Sequence, residues 1–139
     1  MAAETGKQEA FRWPVRVYFE DTDAGGVVYH ANYLRFMERA RTEWLRALGF
    51  EQDYLREHFG VQFVVIAVNL RYRRAVRFNA ELEVDVAVVE CGRASLDFRQ
   101  HIREAGQVVC EGEIRVACVG VVDFKPQPLP PEIVAELNR

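Results

Sequence analysis

The chain has 139 residues, half of them hydrophobic, and a net charge of −3. That length suits a single domain with a well-buried core, and the composition excludes a disordered chain. The acidic balance argues against nucleic acid as a partner, because phosphate binding relies on a basic surface.

Met1 to Arg12 is polar and aperiodic and reads as a loose tail. It lacks the apolar segment of a secretory signal. No run in the chain approaches the ~18 apolar residues that span a bilayer. Val15 to Glu20 alternates Val15, Val17 and Phe19 against Arg16, Tyr18 and Glu20, which predicts a strand. Asp21 to Tyr29 is a loop by its Asp and Gly content. From His30 to Leu48 the apolar residues Tyr33, Met37, Ala40, Trp44 and Leu48 recur at steps of three and four, predicting a long amphipathic helix. Gly49 is placed to stop it.

Glu51 to His58 suggests a short helix closed by Gly60. Val61 to Leu70 is β-branched and apolar, which predicts a strand covered on both faces. Arg71, Arg73, Arg74 and Arg77 follow. Glu81 to Glu90 alternates Leu82, Val84, Val86 and Val88 against Glu81, Glu83, Asp85 and Ala87. Ala94 to Arg103 alternates again, and Glu104-Ala105-Gly106 is a hairpin signal. Gln107 to Val121 reads as a long strand bent at Gly112. Four prolines between Pro126 and Pro131 break regular structure, and Glu132 to Leu137 is placed to form terminal helical turns.

One helix followed by four strands joined by short turns predicts an α+β fold, with an antiparallel sheet around the helix. Cys91, Cys110 and Cys118 are odd in number and lack metal-ligand spacing. They read as reduced thiols in or near the core, which fits a cytoplasmic setting.

Chemistry concentrates between Tyr18 and Leu45. Asp21 and Asp23 have two readings: Asx-type loop and cap work, or a carboxylate poised beside a reacting group. Gly25 and Gly26 let backbone approach a ligand closely. The helix start near His30 carries amides without internal partners and a partial positive charge, the parts of an oxyanion site. His30 reads as a polar boundary residue, a general base or a source of a polarising N–H. Glu38, two turns along, is a solvated surface acid or a second catalytic carboxylate. The arginines at 71, 73, 74 and 77 are ordinary surface or a phosphate-binding set. No EF-hand, Cys–His or Ser–His–Asp pattern stands out.

The stretch DTDAGGVVYHANYLRFMERARTEWL resembles the acyl-CoA thioesterases of the 4-hydroxybenzoyl-CoA thioesterase family, within the hotdog-fold superfamily. It is most similar to the Tol-Pal system-associated branch, which Tyr29 and His30 fit; the 4-hydroxybenzoyl-CoA enzyme itself carries Tyr at the position of His30. The resemblance covers Val15 to Phe124. It implies a single hotdog domain over residues 1–139 with its core at about 15–124, built as five antiparallel strands around a long helix. It implies hydrolysis of acyl-CoA thioesters to a carboxylic acid and CoA, with no metal and no bound cofactor. Asp23 maps onto the family's catalytic acid and His30 onto the residue whose backbone N–H polarises the thioester carbonyl. Gly25, Gly26, Val27, Val28 and Tyr29 then form the substrate-binding loop, and Arg73 and Arg74 meet the nucleotide phosphates. Homodimers joined edge to edge, or homotetramers, are implied. An acyl carrier protein as substrate carrier, a hotdog hydratase or dehydratase, and a non-catalytic acyl-thioester binder or envelope scaffold are the alternatives.

Overall fold

The computed structural model describes residues 10–139. In chain order these form β1 (Phe11–Arg16), a 3-10 turn (Phe19–Asp21), α1 (Asn32–Ala47), α2 (Gln52–Phe59), β2 (Val61–Tyr72), β3 (Glu81–Cys91), β4 (Ser95–Glu104), β5 (Gln107–Gly120) and α3 (Pro131–Leu137). All five strands join one antiparallel sheet in the order β1-β3-β4-β5-β2. The α+β expectation holds. Most of the expected tail, residues 1–9, lies outside the described residues.

The first strand departs from expectation. It runs Phe11–Arg16 rather than Val15–Glu20, so Phe11 and Arg12 belong to the sheet and not to a tail. The alternation continues past Arg16 because Val17 still bonds Ala80 and Asn79 through its backbone. The chain then turns at Phe19, whose ring stays exposed. Sequence alternation alone cannot tell the strand from this extended exit.

α1 buries Tyr33, Phe36, Met37, Ala40, Trp44 and Leu45 against the inner sheet face. That face presents Leu82, Val84 and Val86 from β3, Leu96, Phe98 and Ile102 from β4, and Ile114 and Val116 from β5. Each large side chain so buried contributes about 1.5–3 kcal/mol. The helix starts at Asn32, two residues later than expected, because His30 and Ala31 form a turn closed by Asn32 N–H on the Tyr29 carbonyl at 2.8 Å. It ends as expected at Gly49. Phe50 N–H bonds the Leu45 carbonyl and Gly49 N–H bonds that of Arg46, a Schellman pair made possible by the positive φ of 93° at Gly49.

β5 pairs without interruption at Gly112; the register shift lies between Ile102 and Arg103 on β4, opposite Val109. Gly112 serves packing instead. A Cβ there would sit 2.6 Å from the Leu70 side chain and 3.0 Å from Met37 sulfur, so its absence lets α1 settle on the sheet. β2 is not covered on both faces. It is an edge strand, and Val65, Ile66 and Val68 are exposed. The predicted hairpin between β4 and β5 is present, and Ala105 and Gly106, both at positive φ, form its two-residue turn.

One polar residue lies in the apolar layer. Gln100 is fully buried on the inner face of β4. Its amide donates to the Met37 carbonyl at 3.1 Å and the Asp85 carbonyl at 3.3 Å, and its oxygen accepts from Arg41 at 2.9 Å. The Asp85 carbonyl is available because His101 N–H bonds the Asp85 carboxylate, at 2.7 Å, rather than its backbone. Cys110 and Cys118 are buried as expected. Cys91, the last residue of β3, is exposed.

Candidate active site

The loop between the 3-10 turn and α1 is tied shut by its own backbone. Thr22 bridges Val28, Asp23 N–H bonds the Val27 carbonyl at 2.9 Å, and Tyr29 N–H bonds the Asp21 carbonyl at 2.9 Å. This ladder sets Asp23 opposite Val27 and places the start of α1, at Asn32, four residues beyond Val28. Gly26, at φ 82°, makes the reversal and returns its N–H to the Asp23 carbonyl at 2.9 Å. The loop is fastened to the body at Val28, whose N–H bonds the Val76 carbonyl at 2.8 Å, and at Val27, which bridges Arg77.

The two acids have separate jobs. Asp21 is buried, and its carboxylate accepts from Tyr18 N–H at 2.8 Å. Its carbonyl accepts from both Tyr29 N–H and the Asn32 side-chain amide, each at 2.9 Å. The loop-and-cap reading therefore describes Asp21. Asp23 is exposed. One carboxylate oxygen accepts Gly25 N–H at 2.8 Å, and the other has no partner among the described residues. A Cβ on Gly25 would press to 3.3 Å on that anchored oxygen, so glycine there keeps the carboxylate in place.

The amides of His30 and Ala31 donate to no acceptor among the described residues. They stand at the foot of α1, where unpaired N–H groups and the helix dipole favour developing negative charge. The His30 ring lies tilted at 46° against Tyr29, with centroids 4.4 Å apart, and makes no hydrogen bond among the described residues. That geometry supports the backbone rather than the imidazole as the working part of His30.

Other candidate residues disperse. Val28 is buried in the core and can serve the loop only as a support. Val27 is half-buried, and Gly25, Gly26 and Tyr29 are exposed beside Asp23. Arg73 is engaged by Glu111, with its Nε 2.6 Å from the carboxylate. Arg71, Arg74 and Arg77 are exposed and make no side-chain hydrogen bond or ion pair among the described residues. Glu38 is exposed on α1 and does not contact His30. It borders a cavity of about 80 Å³ shared with Arg41, Trp44, Phe63 and Phe98, which neither Asp23 nor His30 lines. The pairing of Glu38 with His30 that a hydratase reading would use is therefore not assembled among the described residues. Tyr72 and Asn32 were missed from sequence: both act through backbone carbonyls, at His30 and Asp21, and spacing carries no trace of such contacts.

The architecture is a hotdog fold, a five-stranded antiparallel sheet around one long helix. A model of the thioesterase-like superfamily matches residues 17–137. The acyl-CoA thioester hydrolase YbgC of Escherichia coli is 46% identical over 130 residues, 93% of this chain and 96% of its own. The acyl-CoA thioesterase YbgC of Haemophilus influenzae is 44% identical over 129 residues, 93% of this chain and 95% of its own. Among solved structures, a probable thioesterase from Bartonella henselae superposes with a TM-score of 0.84 at 30% identity, covering 88% of this chain and 100% of that one. The chain belongs to the thioesterase-like superfamily, and the resemblance drawn from residues 19–45 is borne out. It also reaches further than Phe124: the family match extends to residue 137, and α3 places Ile133 in the core.

Proposed function

We propose that this protein hydrolyses acyl-CoA thioesters, with Asp23 as the reacting carboxylate and the His30 and Ala31 amides as the oxyanion donors. The observation that carries the assignment is the half-engaged state of Asp23. Gly25 N–H fixes one oxygen and leaves the other facing out, in a loop that ends at two unused helix-start amides. The free oxygen attacks the thioester carbon directly, or takes a proton from a water that does so. In both routes the carbonyl oxygen gains charge and meets the amides, the C–S bond breaks, and CoA leaves as thiolate to be protonated by solvent. A direct attack leaves a mixed anhydride on Asp23 that water then opens. One oxyanion donor is worth about 10²–10³ in kcat in comparable sites.

Binding of the CoA phosphates falls to Arg74, which is exposed and uncommitted, with Arg73 joining once it leaves Glu111. The working unit is a homodimer or a tetramer of such dimers. The two sheet edges differ in the way that supports this. β1 is blocked by Pro14 and carries Arg12 and Arg16, whereas β2 exposes Val65, Ile66 and Val68 and has its one charged residue, Arg71, only near its end. No helix among the described residues is long and apolar enough to cross a membrane, and CoA esters as substrates fit a cytoplasmic site.

The test is free-thiol release from a panel of acyl-CoAs, with Asp23→Asn in parallel. Asparagine keeps the acceptor for Gly25 N–H, so the loop stays folded while the carboxylate chemistry goes. A loss of about 10²-fold or more with an unchanged melting temperature is expected. A wild-type rate in the variant would remove Asp23 from the mechanism.

A further inference from the structure

The helix start is held by a contact from the far edge of the sheet. Tyr72, the last residue of β2, donates its phenolic hydroxyl to the His30 carbonyl at 2.9 Å. Its ring packs edge-on against Tyr33, with centroids 5.3 Å apart. Among the described residues this is the only hydrogen bond between β2 and residues 29–31.

The bond falls on a sensitive peptide unit. In a trans peptide the N–H points opposite to the carbonyl of the preceding residue. The His30 N–H is therefore aimed by whatever holds the Tyr29 carbonyl, and the Ala31 N–H by whatever holds the His30 carbonyl. Asn32 N–H holds the first at 2.8 Å. Tyr72 holds the second. A donor on a carbonyl also withdraws charge through the peptide and makes its N–H a stronger donor, an effect of about 10–30% per bond.

We propose that Tyr72 is a positioning residue for thioester hydrolysis: by holding the His30 carbonyl it aims and polarises the Ala31 amide toward the thioester oxygen. The inference rests on the oxyanion reading of the helix start given above. It goes beyond it in making the oxyanion site a product of two elements distant in sequence, α1 and β2. Tyr72 touches no substrate. Its position one residue before Arg73 also couples the strand end near the phosphate-binding arginines to the amides.

Tyr72→Phe isolates the hydroxyl, because the ring and its packing on Tyr33 remain. A 10–30% weakening of a donor worth 10²–10³ predicts a fall in kcat of about twofold to eightfold, with KM and melting temperature unchanged. The deciding readout is the infrared stretch of a ¹³C-labelled thioester carbonyl in a bound acyl-CoA. It is measured on Asp23→Asn, which holds substrate without turnover, and on Asp23→Asn combined with Tyr72→Phe. A smaller red shift in the double variant supports the assignment, since a purely structural role for Tyr72 leaves the bound carbonyl polarised to the same degree in both variants. An unchanged kcat in Tyr72→Phe, or a lowered kcat with an unmoved carbonyl stretch, overturns it. The two readings fail separately: full activity in Asp23→Asn strikes the carboxylate assignment, and the kcat of Tyr72→Phe in the otherwise wild-type chain still reports on Tyr72.

Discussion

Asp85→Asn probes whether charge or packing holds the middle of the sheet. The Asp85 carboxylate, with 8% side-chain exposure, accepts His101 N–H and Arg103 Nη1, each at 2.7 Å, and faces His101 Nδ1 at 3.2 Å. Burial alone would push its pKa up. The bonds from His101 and Arg103 outweigh burial and hold the carboxyl below its ordinary value of 3.8. Asparagine keeps an acceptor for the His101 amide but removes the charge that faces Arg103, at a cost of about 2–3 kcal/mol at pH 7. For a chain of this size that lowers the melting temperature by about 6–9 °C. Because the folded pKa is depressed, the stabilisation is fully present above the ordinary carboxylate value. It is lost as pH falls through the lower folded value. Urea unfolding of both proteins at pH 7, 5, 4 and 3 should therefore show a gap that is constant down to about pH 4 and then closes. A gap that persists undiminished at pH 3, or one below about 0.5 kcal/mol at pH 7, would show that the ionised carboxylate contributes nothing here.

Cys110 and Cys118 are buried and their thiols are pushed up to about 12 and about 11, whereas Cys91 is exposed; a maleimide should label one thiol per native chain and three after unfolding, as counted by mass spectrometry. Ile66→Glu changes an exposed residue at the β2 bulge and leaves the monomer core intact; sedimentation should then report a smaller assembly than the wild type, and a wild-type mass would shift the interface away from this edge.

Sequence periodicity located α1 and the three strands β3 to β5 because their apolar positions repeat against one continuous inner face. It failed where burial and pattern part company. Val61–Leu70 reads as a doubly covered strand, yet it is a sheet edge, since the partner that would cover Val65 and Val68 is not encoded in the strand's own spacing. Gln100 sits at an apolar position of β4 and breaks the alternation; only the coordinates show that Arg41, Met37 and Asp85 satisfy it. The DTD loop stands out in the sequence as a candidate site because its acids and glycines fall within six residues, Asp21 to Gly26. Tyr72 was not, since it reaches His30 from 42 residues away through a main-chain atom.

Burial, not the number of donors, separates the two acids of the loop. Each carboxylate accepts one main-chain N–H, Asp21 from Tyr18 and Asp23 from Gly25. Asp21 is buried and out of reach of a substrate, whereas Asp23, the proposed reacting group, is exposed and its single bond fixes its position only in part. Preorganisation therefore has to come from elsewhere. Asp21 supplies it by taking Tyr29 N–H and the Asn32 amide on its carbonyl, which sets the helix start relative to the loop. Tyr72 then supplies it from the sheet side. On this logic the reactive geometry belongs to the fold's three supports, at Asp21, Asn32 and Tyr72, as much as to Asp23 itself. A change at any of them should act on turnover before it acts on substrate affinity.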